Sequence, residues 1–108
     1  MRRIVVMESA REALDEYFDE IAILTGDEVA KLRRREHLDI MRTLAQQPLL
    51  GKALKSSTFE TDLFRFPVAG GYFIYAATET HLQVVFFARD AEMDIVLKLL
   101  SSPKGTSH

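Results

Sequence analysis

At 108 residues, 47% hydrophobic and 28% charged, the chain has the size and composition of one globular domain, which excludes intrinsic disorder. It has no cysteine, so disulfides and thiolate metal sites are excluded. A formal charge of −2 and a pI near 5.9 argue against strong general affinity for nucleic acid.

No apolar run approaches the roughly 18 residues of a membrane span. The N-terminus has a basic start, Arg2-Arg3, but the apolar run Ile4-Val5-Val6-Met7 is too short for a signal peptide. The expected location is the cytoplasm, and the expected organisation is one domain over residues 1–100 with a flexible tail over 101–108.

In chain order, Arg3 to Met7 reads as a short strand by its Ile-Val-Val run. Ser9 and Glu12 have capping-box spacing ahead of a helix. That helix puts Ala10, Ala13, Leu14, Tyr17, Phe18, Ile21 and Leu24 on one face. Thr25-Gly26-Asp27 stops it, with Asp27 as cap for a second helix from about Glu28 to Gln46. Val29, Leu32, Leu38, Met41, Leu44 and Ala45 are its candidates for burial, and Pro48 ends it.

Gln47 to Ser57 reads as a connector. Phe59 to Phe66 is the second predicted strand, and Pro67 to Gly71 a turn. Tyr72 to Ala77 and Leu82 to Ala88 are the third and fourth strands, joined through Thr78 to His81. Asp90 is placed to cap a final short helix, with Glu92 and Asp94 in its first turn and Lys98 in its last. The predicted class is α+β, β-α-α-β-β-β: a helical hairpin covers one face of a small antiparallel sheet.

Charge is unevenly spread. Glu8 to Glu28 holds eight acidic residues against Arg11, whereas Lys31 to Arg42 holds five basic residues against Glu36 and Asp39. One reading is a hairpin whose exposed faces attract each other. The other is a basic face around Arg33-Arg34-Arg35 that meets an acidic partner or nucleic acid.

No spacing of His37, His81 and His108 suits a metal, and no phosphate loop or nucleophile elbow is present, so no cofactor, metal or catalytic group is expected. His37 is expected at the edge of the helix interface. The candidate functional groups are Arg65 on the second predicted strand and Arg89 at the end of the fourth. On one open sheet face, their guanidinium groups would suit phosphate or carboxylate. The competing reading pairs Arg65 with Asp62 or a helix carboxylate, and Arg89 with Asp90 or Glu92.

Three segments then combine: "ESAREALDEYFDEI" after the first strand, "QQPLLGKAL" after the second helix, and "LFRFPVAGGYFIYAATETHLQVVFFARD". In this order, over about Ile4 to Leu97, the chain resembles the RelE/ParE superfamily of toxins from type II toxin–antitoxin systems. RelE-like members cut mRNA on the ribosome with second-strand lysines, third- and fourth-strand arginines and often a C-terminal tyrosine. Here the matching positions hold Thr61, Leu63, Phe73 and Ile95, and only Arg89, with Arg65 nearby, is retained. ParE-like members lack that set and poison DNA gyrase.

The resemblance therefore implies a ParE-like toxin neutralised by a cognate antitoxin. The alternatives are a RelE-type endonuclease and a non-toxic module that only binds antitoxin. The expected target-recognition surface is Arg65, Arg89, Met93, Val96 and Leu97. The expected antitoxin contacts are Tyr17, Phe18, Phe59 and Leu63.

Overall fold

In a computed structural model, which describes residues 1–54 and 63–90, the chain folds as two helices on one face of a five-stranded sheet. β1 (Arg3–Val6) leads directly into α1 (Glu8–Thr25). The capping box does not form. Ser9 instead donates its hydroxyl to the carbonyl of Val85, at 2.7 Å, and ties the start of α1 to the sheet.

Gly26, at φ +101°, is the whole connection between α1 and α2 (Asp27–Gln46). Its positive φ suits glycine, and its N–H closes α1 on the carbonyl of Ala22 at 2.9 Å. Asp27 is the first residue of α2 and makes no side-chain cap. The helices run antiparallel: Phe18 lies beside His37, and Leu14 shares a cleft with Met41.

Pro48–Leu50 forms one 3-10 turn and leads into β2 (Lys52–Leu54), within the segment expected to be a connector. β3 (Leu63–Val68), β4 (Gly71–Ala77) and β5 (His81–Arg89) form the predicted antiparallel meander. Strand order is β1-β5-β4-β3-β2, and β1 joins β5 in parallel, so the sheet is mixed. The predicted residues Phe59 to Asp62 and the predicted final helix lie outside the described residues.

The core lies between the helices and the sheet. Ala10, Leu14, Tyr17, Phe18, Met41, Leu44 and Ala45 pack against Phe73, Tyr75, Leu82, Val84 and Phe87. Leu24, Leu32 and Leu38 do not join it and are 71%, 48% and 44% exposed. His37 is not at an edge. It is buried on the inner face of α2 among Tyr17, Phe18, Phe73 and Phe87.

Candidate functional site

The site is built where α1 and α2 cross the β3–β4 turn and the end of β5. Tyr17 stacks on His37, with ring centroids 5.7 Å apart and planes 10° from parallel. Phe18, Phe73 and Phe87 complete the aromatic surround of the imidazole. The His37 Nε2–H donates to the carbonyl of Ala69 at 2.8 Å and so holds the β3–β4 turn against α2. His37 Nδ1 is buried with no hydrogen-bond partner. Burial pushes the His37 pKa below its ordinary value, against the Ala69 carbonyl and the Glu36 carboxylate, which favour the cation.

Arg89 reaches from β5 to α1. Its guanidinium lies 5.0 Å from the Tyr17 ring centroid and donates to both Glu20 carboxylate oxygens, at 3.2 and 3.3 Å. The hydrogen bonds, followed by the charge of Arg89, hold the Glu20 carboxyl below its usual pKa. Burial raises the Tyr17 phenol, and the nearby Arg33 and Arg89 cations moderate the rise. Arg89 thus reaches Glu20 of α1 and does not stand on an open sheet face; Glu92, one of its expected partners, lies outside the described residues.

Arg65 lies on the other face. In register it pairs with Ile74, whereas Arg89 pairs with Gly71. Positions 71 and 74 are three apart on one strand, and side chains alternate, so the two arginines project to opposite sides of the sheet. The expectation that they share one face is overturned. Arg65 instead stands 5.5 Å over the Tyr72 ring and directly opposite Lys52 of β2. No carboxylate among the described residues bridges Arg65 or Lys52.

The expected antitoxin contacts are also divided. Tyr17 and Phe18 are buried in the core, where the space between helices and sheet is filled. Phe18 borders a cleft of about 220 Å³, whose other walls include Arg11, Arg34 and Leu38. Leu63 packs on the far side of the sheet with Leu54 and Ile74. Phe59, Thr61, Met93, Ile95, Val96 and Leu97 lie outside the described residues. Phe73, on β4, is fully buried.

Sequence reasoning missed Glu20 as the partner of Arg89, because no local pattern links residues 69 apart. It also missed Lys52, whose strand is three residues long and follows Pro48 and Gly51. Its one available signal was the Lys-Ala-Leu alternation.

Among the described residues no cluster of His, Asp or Glu is arranged to hold a metal. No helix among them is long and apolar enough to cross a membrane. No protein-family model matches the chain, and no curated protein matches it. A chain in the solved structure of the chromosomal ParDE TA system from P. aeruginosa matches with a TM-score of 0.65 at 18% sequence identity. The match covers 82% of this chain and 96% of that one. The two chains share a fold. In this ParDE-like fold, Arg89, Tyr17 and Glu20 form a linked group on the helix side, and Lys52 and Arg65 a separate one behind the sheet.

Proposed function

We propose that this protein is the ParE-like toxin of a type II toxin–antitoxin system, neutralised by a cognate antitoxin and inhibiting growth by poisoning DNA gyrase. The fold shared with the ParDE chain carries the reading. The buried Phe73 supports it against the nuclease, because a third-strand arginine there would have to lie in the apolar core. The protein is then a protein inhibitor with no catalytic residue of its own. Arg65, Arg89, Met93, Val96 and Leu97 are the residues proposed for target recognition, with Arg65 and Arg89 as separate contacts on opposite faces of the sheet. Of Tyr17, Phe18, Phe59 and Leu63, expected at the antitoxin, Phe18 is proposed as a contact through the cleft beside Arg34, with buried Tyr17 as its support. Phe59 and Leu63 are proposed as a separate contact, with Leu63 behind the sheet.

The test has two arms. Expression of the chain alone should arrest bacterial growth, and co-expression of the adjacent small reading frame should relieve the arrest. Purified chain should then inhibit gyrase supercoiling and trap cleaved plasmid. Absence of any gyrase effect at large molar excess would remove the target and leave the toxin reading to the growth assay.

One observation favours the nuclease alternative. Lys52 on β2 stands beside Arg65, so two cations that no described carboxylate bridges occupy neighbouring strands, an arrangement suited to a phosphodiester. Primer extension on a translated message distinguishes this reading by new cuts in the ribosomal A site.

A further inference from the structure

We infer that the outer surface of the helical layer is a self-association face, on which α1 of one copy lies along α2 of a second copy about a two-fold axis parallel to the helices. The first observation is that the two helices do not neutralise each other. Every ion pair of α2 among the described residues is internal to it: Lys31 with Glu28, Arg33 with Glu36 and Arg42 with Asp39. Among those residues Glu8, Glu12, Asp15 and Asp19 bridge no cation, and Arg35 bridges no carboxylate.

The second observation is spacing. Glu8, Glu12, Asp15 and Asp19 recur at intervals of four, three and four residues along the exposed side of α1. Lys31, Arg35, Leu38 and Arg42 recur at the same intervals along the exposed side of α2, and with Arg34 and Asp39 they line a shallow groove of about 490 Å³. These intervals keep each set in one stripe. The stripes are therefore equal in length and carry opposite charges, with Arg35 the cation of its stripe that no described carboxylate bridges and Lys31 and Arg42 shared with Glu28 and Asp39.

Symmetry selects the arrangement. A two-fold axis across the helices would lay α1 on α1, acid against acid. An axis parallel to the helices lays α1 antiparallel on the partner's α2 and brings Asp19 level with Arg35, and Glu12 level with Arg42. The same axis places both hairpin tips at one end. There Ile23 is 84% exposed and Leu32 48%, so the tips supply the apolar part of the contact. This face includes the cleft over Phe18, so a second copy and an antitoxin seated there exclude each other.

Sedimentation equilibrium of the full free chain tests the inference. A concentration-dependent dimer is expected at low salt, weakened as ionic strength rises because these charges are exposed. Asp19→Arg and Arg35→Glu should each weaken the homodimer about tenfold or more, with circular dichroism unchanged. Mixing the two variants should restore dimerisation. Each mixed pair sets the substituted, now basic position 19 against the substituted, now acidic position 35, and leaves the native Asp19–Arg35 contact on the other side. A monomer at all concentrations in low salt would overturn the inference. So would a dimer indifferent to both variants, or variants that fail to rescue each other.

Discussion

The Tyr17 ring fills the space that a side chain at Gly70 would need. A Cβ on Gly70 would fall 2.5 Å from Tyr17 Cε1, and the backbone there has φ +89°. The β3–β4 turn can therefore approach α1 only with glycine at this position. Through Tyr17 the same contact extends to His37 and Arg89.

Gly70→Ala should accordingly destabilise the protein by about 2–4 kcal/mol, through positive φ and the displaced ring together. Chemical denaturation measures it. Tyr17→Ala in the Gly70→Ala background should cost less than in the wild type, because the space is then free. Equal costs in both backgrounds would show that the backbone conformation alone sets the effect.

His37 makes stability pH-dependent. Its folded pKa is lowered by burial, so the unfolded chain takes up a proton first as pH falls. The stabilisation is complete above the ordinary value of 6.5 and is lost from there down to the folded pKa. An imidazolium would also need a second acceptor, and Nδ1 has none. Thermal melts from pH 8 to 5 should show the midpoint falling below about 6.5. His37→Gln should be less stable at neutral pH by about 1–3 kcal/mol and should lose that part of the pH dependence. An identical profile in the variant would assign the pH effect to other groups.

Tyr75 and Gly51 anchor β2 to the sheet. The Tyr75 hydroxyl donates to the carbonyl of Pro48 at 2.6 Å and accepts from the N–H of Gly51 at 3.0 Å. A Cβ on Gly51 would overlap that hydroxyl. Tyr75→Phe should cost about 1–2 kcal/mol by leaving two backbone groups unpaired. Gly51→Ala should release β2 and with it Lys52, visible as faster amide exchange at residues 52–54 against an unchanged core.

The helical hairpin was legible because its apolar spacing and Gly26 act locally. The meander was legible because three β-rich runs, expected at Phe59–Phe66, Tyr72–Ala77 and Leu82–Ala88, are separated by short turns. The expected turn over Pro67–Gly71 shrinks to Ala69–Gly70, because Pro67 and Val68 stay in β3 and pair with Tyr72 and Gly71. The position of Arg65 relative to Arg89 was not, because it depends on which residues of β4 each opposes, and pairing register is a property of two strands at once. Burial of His37 was hidden for a related reason. An imidazole is accepted in the core only where Ala69 presents a carbonyl, and that carbonyl is 32 residues away. Composition likewise averages over the acidic α1 and over Lys52 and Arg65 behind the sheet.

Arg89 separates the functional reading from the structural one. Its pair with Glu20 is partly open to water, with side chains 34% and 47% exposed. Such a pair is screened by water and contributes little to stability, and the position of Arg89 over Tyr17 adds a modest cation–ring attraction. Glu20→Gln should therefore leave the fold intact and barely move the denaturation midpoint. Arg89→Ala should remain folded, with a somewhat larger loss, and should no longer arrest growth if the guanidinium meets the target. Arg89→Lys keeps the charge but not the two-pronged contact with the carboxylate, so it should recover stability better than toxicity. Growth arrest and denaturation midpoint measured on all three variants decide the matter. Toxicity that simply follows stability across the series would make Arg89 a brace between β5 and α1 and leave target recognition to other residues.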